Sequence, residues 1–155
     1  MKNSVTGEEL KEFAGRSLQP SEWMTITQER IDGFADVTED HQFIHVDEAA
    51  AKGTPLGSTI AHGFLTLSLL SPLRPSDWPV LENQEMVINY GLDKLRFLQP
   101  VKPGQRVRVH TKIVAVRQKR PGQYLIKSEK TMEIEGEEKP AFVAQMLVLL
   151  VGEER

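Results

Sequence analysis

The 155-residue chain has no cysteine. That excludes disulfides, thiolate metal sites and a cysteine nucleophile together, and it fits a reducing, cytoplasmic setting. An excess of one charge sign is missing too. Nineteen Lys and Arg stand against 22 Asp and Glu, for a net charge of −3, and the basic residues are scattered. No nucleic-acid partner is expected from such a distribution. Long apolar runs are absent: Met146 to Val151 is far too short to span a bilayer, so no membrane partner is expected either. The start, MKNSVTGEELKEF, is too polar for a signal peptide. There is no internal repeat, low-complexity segment or linker. The length suits one domain with a real core, which sets the expected domain at 1–155.

What is present falls into a helical half and a strand half. Thr6 and Glu9 form a Thr-x-x-Glu capping box ahead of a short helix stopped by Gly15. Trp23 to Ile26 reads as a strand. Thr27 can cap a helix running to about residue 37 on the apolar positions Ile31, Phe34, Ala35 and Val37, although Arg30 stands where a capping box needs glutamate. Asp47 can cap a short helix over 48–52 that Gly53 ends. From Gly63 to Leu70 the chain is apolar nearly all round, which predicts a buried helix, ended by Pro72 and Pro75. The segment 71–84 is irregular and reads as a flap.

From Glu85 the period becomes two. A strand is expected over 86–90, with 93–98 another piece of it after a bulge at Gly91. A turn at 101–104 precedes a strand with Val107, Val109, Thr111 and Ile113 on one face and Arg106, Arg108, His110 and Lys112 on the other. After a Pro121-Gly122 turn, Tyr124, Ile126, Ser128, Lys130, Met132 and Ile134 alternate with polar residues. Phe142 to Val151 is apolar on both faces, as a central strand is. A long twisted antiparallel sheet can curl round one apolar helix and bury it, an α+β arrangement.

The stretch 34–70 carries the chemistry. Asp40 and His45 lie in a polar loop that can aim a carboxylate and an imidazole at one water, an arrangement worth about 10²–10⁴-fold in rate when it acts as acid and base. Gly63 opens the apolar helix. A glycine there lets a carbonyl approach the unpaired first N–H groups, and a donor aimed at an oxyanion contributes about 3–4 kcal/mol. It would equally allow close packing of helix on sheet.

Two blocks resemble a known signature. These are Phe34-Ala35-x-x-Thr38-x-Asp40-x-x-x-Ile44-His45-x-Asp47 and Gly57-x-x-Ile60-Ala61-His62-Gly63-x-Leu65. Their wording and spacing are similar to those of MaoC-like (R)-specific enoyl-CoA hydratases, and with Asn89-Tyr90-Gly91-Leu92-Asp93 they look most like the nodulation protein N-like branch. The resemblance implies a hot dog fold, an antiparallel β-sheet wrapped around a buried central helix. It implies that Asp40 and His45 are the catalytic dyad, that the Gly63 N–H is the oxyanion donor, and that Ser71 stands by the substrate. The implied reaction is reversible syn addition of water to a trans-2-enoyl-CoA, giving the (3R)-3-hydroxyacyl-CoA. CoA is then part of the substrate, no cofactor or metal is needed, and a homodimer is expected. The commoner family pattern has Gly-Asp-x-Asn-Pro before its hydrophobic-His pair. Here Glu39, Gln42 and Phe43 replace the glycine, asparagine and proline, which puts loop shape and acyl preference in question.

Other residues read more plainly. His41 is expected to face solvent and His62 to pack or hydrogen-bond at the helix mouth. None of His41, His45, Asp40 and Asp47 has the pair spacing of a zinc motif. The basic series from Arg106 to Arg120 reads as a solvated strand face. Rival functions are a hot dog acyl-CoA thioesterase, which also needs a carboxylate and an oxyanion donor, and a non-catalytic acyl-CoA-binding subunit, which needs no dyad.

Overall fold

Thr6 caps the first helix by the reciprocal bonds its sequence predicts: the Glu9 N–H donates to Thr6 Oγ1 at 3.2 Å, and the Thr6 N–H donates to the Glu9 carboxylate at 2.8 Å. The computed structural model describes residues 4–153. In chain order these form β1 (Ser4–Val5), α1 (Gly7–Lys11), β2 (Met24–Thr25), α2 (Gln28–Thr38), α3 (Phe43–Val46), α4 (Glu48–Lys52), α5 (Gly63–Ser68), β3 (Val80–Leu81), β4 (Gln84–Phe97), β5 (Arg106–Arg120), β6 (Gln123–Ile134) and β7 (Phe142–Gly152). Thr27 caps α2 through the Arg30 N–H without a capping box, and Asp47 caps α4 through the Ala50 N–H. Among the described residues, no helix is long and apolar enough to cross a membrane.

Five strands make one antiparallel sheet in the order β2-β5-β6-β7-β4, so β7 lies inside the sheet and β4 at its edge. The alternation in β5 and β6 sets which face turns inward. Val107, Val109, Met132, Ile134, Phe142 and Ala144 pack against Leu65, Leu69 and Leu70 of α5 and the turn that follows it. A second apolar cluster, around Leu10, Trp78, Ile113, Tyr124 and Ile126, closes the far end. The outer face of β5 carries its basic residues in pairs: Arg108 Nε donates to Glu133 at 2.6 Å, and Arg106 bonds Glu135.

Four expectations need correction. The polar loop is not all loop, because Phe43–Val46 makes one helical turn and His45 sits on it. The helix α5 is not buried all round: Leu65 and Thr66 face the sheet, but Phe64 is 67% exposed and Ser68 is exposed beside it. The 71–84 segment is no free flap, since Trp78 is buried and Val80–Leu81 pairs in parallel with Ser4–Val5. Finally, β4 is the one bulged strand expected, but the register shifts at Tyr90 rather than Gly91, Asn89 pairing with Val148 and Gly91 with Leu147, and it shifts again at Glu85 and Asp93.

Candidate active site

Three short segments meet at the mouth of α5. The turn α3 presents the His45 ring inward, leaving it 7% exposed. Its Nδ1 lies 2.7 Å from the Ile60 carbonyl oxygen. A carbonyl only accepts, so Nδ1 carries the proton and the lone pair is left on Nε2. Ile60 is itself held by its N–H bond to the Ile44 carbonyl at 2.9 Å, so ring and acceptor are fixed together. Gln28, at the start of α2, ties the same region down. Its Nε2 donates to the His45 carbonyl at 2.7 Å, while its Oε1 accepts from Thr59 Oγ1 at 2.6 Å.

Asp40 follows α2 directly. The turn that carries it is made by Glu39 in the left-handed region, φ 60°. Glycine suits that conformation best, so the glycine of the commoner pattern has a steric reason that Glu39 overrides at a cost of about 1 kcal/mol. The Asp40 side chain is about half exposed, with the Gln42 N–H 3.4 Å from its Oδ1.

His62 joins the two. Its ring is buried and stacks on His45 with centroids 3.7 Å apart. Its Nε2 donates to the Asp40 carbonyl at 3.0 Å, and its Nδ1 is buried without a hydrogen-bond partner. Phe34 of α2 closes the other side of this ring, centroids 4.9 Å apart. Gly63 comes next in the chain and supplies the first N–H of α5, which has no acceptor within the helix.

One ligand atom each from Asp40, His45 and His62 lie within 4.8 Å of one another. A carboxylate and an imidazole that close can both reach one water at about 2.8 Å each. As metal ligands the two histidines would have only His45 Nε2 and His62 Nδ1 to offer, because His45 Nδ1 and His62 Nε2 already bond the Ile60 and Asp40 carbonyls.

The other expected site residues are placed differently. Gly63 lines a cavity of about 270 Å³ with Ile60, Thr66, Phe97, Gln99 and Val101, whose wall includes neither dyad residue. Ser71 lies past the end of α5, in a separate groove of about 310 Å³ with Phe64, Leu67, Asn89 and Leu92. Within one chain it does not join the dyad. His41 is exposed and bonds Asp36 at 2.9 Å.

A family model described as MaoC like domain matches residues 9–135. The chain belongs to the MaoC-like dehydratase family. Nodulation protein N of Rhizobium leguminosarum bv. viciae is 47% identical over 137 residues, 88% of this chain and 85% of that protein. The 3-hydroxyacyl-thioester dehydratase Z of Mycobacterium tuberculosis is 45% identical over 144 residues, 93% of this chain and 95% of that protein. Among solved structures, the (R)-hydratase from A. caviae superposes with a TM-score of 0.70 at 25% identity, covering 86% of this chain and 95% of that one. The fold of this MaoC-like chain is therefore the expected hot dog, an α+β arrangement with the sheet curled round α5.

Sequence reasoning missed Gln28 and Thr59 in this site, and it gave His62 only a packing or bonding role without naming its partner. The Ala61-His62-Gly63 wording was the one available signal for His62. Nothing in the sequence marks Gln28 for this site, because its partners there, His45 and Thr59, lie on two other segments.

Proposed function

We propose that this MaoC-like protein is an (R)-specific enoyl-CoA hydratase. The observation that carries the proposal is that ligand atoms of Asp40 and His45 lie within 4.8 Å of each other, with His45 Nδ1 held by a carbonyl, at the mouth of a helix that begins with glycine. The 45% identity to a 3-hydroxyacyl-thioester dehydratase supports the same chemistry. The thioester carbonyl accepts from the Gly63 N–H. The water sits between Asp40 and His45 Nε2, with Asp40 accepting one of its hydrogens and fixing its direction. Its oxygen bonds the β-carbon as His45 Nε2 takes the other proton. The π-electron pair moves toward the carbonyl oxygen, where the Gly63 N–H offsets the charge. The proton on His45 then passes to the α-carbon on the same face, which gives syn addition and restores the imidazole. No metal or redox cofactor takes part.

The proposed assembly is a homodimer. Both faces of β4 are open in the single chain, with Met86, Val87, Ile88, Tyr90 and Leu92 each at least 40% exposed. An apolar edge strand of this length is a template for another strand. Two copies paired through β4 about a two-fold axis set their α5 helices antiparallel, covering Phe64. The Gly63 end of one helix then faces the Ser71 end of the other, and this gives Ser71 its route to the substrate.

The test is hydration of trans-2-enoyl-CoA by loss of enoyl absorbance, with chiral analysis of the product. Accumulation of the (3R) alcohol supports the proposal. Release of free CoA thiol without loss of the double bond would identify a thioesterase instead.

A further inference from the structure

Lys130 is the one Lys or Arg side chain that is buried among the described residues, at 4% exposure. It sits on the inward face of β6, where the alternation sets Ile126 and Met132. Its Nζ donates to Thr111 Oγ1 at 3.0 Å and lies 4.9 Å from the centroid of the Trp78 ring. An ammonium has three hydrogens, so two remain unused by these neighbours. Among the described residues, neither Lys130 nor Arg74 has an ion pair. Burial, with the charge of Arg74 as a second cause, pushes the Lys130 pKa down to about 8, which still leaves it mainly charged at neutral pH.

This cation faces a cavity of about 190 Å³ walled by Ser71, Arg74, Trp78, Asn89, Lys130 and Val148. No carboxylate lines it. The cavity shares Leu70, Ser71, Asn89 and Met146 with the groove along the open side of α5, so the two are contiguous. A groove with Phe64, Leu67 and Leu92 in its walls suits an alkyl chain. Its continuation is cationic, with hydroxyl and amide groups beside the charges. An unpaired buried cation is costly, and an anion entering the cavity would offset that cost.

We propose that this cavity is the far end of the acyl site and takes the terminal carboxylate of an acyl chain that bears a second acid group, held by Lys130 and Arg74. The inference rests on the acyl-thioester reading and on the homodimer above, in which the groove meets the partner copy's dyad. It makes the preferred substrate class ω-carboxyacyl thioesters rather than plain fatty acyl ones. The phosphates of CoA are the competing anions. The cavity is small, and its wall of Trp78, Met146 and Val148 beside Lys130 suits a narrow chain end better than a diphosphate with its nucleoside.

The experiment is calorimetric titration of the whole protein with saturated acyl-CoAs of four to ten carbons, each with and without a terminal carboxyl group. Saturated ligands cannot be hydrated, so the preference is read apart from catalysis. At the length that reaches Lys130, the carboxyl group is expected to lower Kd by about tenfold or more, the worth of a charge-assisted hydrogen bond. Lys130→Met and, separately, the surface change Arg74→Ala should each bring that ratio toward one. A wild-type ratio of one or below at every length overturns the inference. So does an equal weakening of both ligand series in the two variants, which would assign the cations to the CoA phosphates. Tight binding of the ω-carboxy series by a protein that hydrates no enoyl-CoA would keep the inference and end the hydratase reading.

Discussion

The His62 ring lies against the His45 ring with planes 23° apart, and the same His62 bonds the backbone of Asp40 at 3.0 Å. One side chain outside the dyad thus sets the position of both its members. With its Nε2 on the Asp40 carbonyl and its ring against His45, His62 is assigned as a positioning residue. His62→Phe keeps a ring over His45 but loses the bond to Asp40. The expected result is a fall in kcat of about tenfold, in proportion to a lost buried hydrogen bond of about 1–3 kcal/mol. The pH profile should keep its shape, and circular dichroism should show the fold intact. A changed pH profile would mean that His62 itself titrates in the reaction.

Gly63→Ala separates activity from stability. A Cβ at Gly63 would come 3.0 Å from two atoms of the Phe97 ring. That ring is half exposed and can give way, and alanine is the better helix former by about 1 kcal/mol. Thermal stability should therefore change by less than about 1 kcal/mol. The methyl group stands where a thioester carbonyl must approach the N–H, so kcat should fall about tenfold or more. Unchanged activity would leave the Gly63 N–H without a role.

Lys130 is expected to weaken the fold that holds it. Its folded pKa of about 8 lies below its ordinary 10.5, so between these pH values the unfolded chain binds more protons. Stability should rise with pH across that window. Below about pH 8 both states are charged and the penalty is fully present, on the order of 3 kcal/mol at most. Lys130→Met should be more stable than wild type at neutral pH, and its advantage should shrink as pH goes from 8 toward 10.5. Urea unfolding at several pH values measures this directly.

The β4 edge makes a prediction about assembly. Light scattering on the wild-type protein should give a dimer mass. Ile88→Arg places a charge on an exposed edge residue that the proposed dimer covers. It should shift the mass toward monomer at micromolar concentration and lower activity with it, while a monomeric wild type would remove the homodimer from the account.

Much of this was legible in the sequence because it is local. The caps at Thr6, Thr27 and Asp47 each need only a side chain and an N–H three residues on. The inward faces of β5 and β6 follow from strict alternation. The two motif blocks pointed to the fold and to Asp40, His45 and Gly63 of the candidate site. What was not legible depends on contacts far apart in sequence. The four-residue α3 is too short to show a period, so His45 read as loop. Its tautomer depends on the Ile60 carbonyl, fifteen residues away. The apolar surround of Gly63–Leu70 predicted cover on all sides, yet the chain's own sheet covers only the Leu65 and Thr66 side and leaves Phe64 open. Lys130 fell on an inward position by alternation alone, yet its meaning came only with Trp78 and Arg74 from another segment. Glu39 shows the reverse case: a replaced motif glycine marks the one turn where backbone conformation matters most.

The central claim is that Asp40 and His45 act on one water. The most direct measurement is crotonyl-CoA hydration, followed by enoyl absorbance, in wild type, Asp40→Asn and His45→Gln, each checked for its fold. The account predicts a rate in the wild type and a fall of about 10²–10⁴-fold in each variant. Activity undiminished in either folded variant would contradict it.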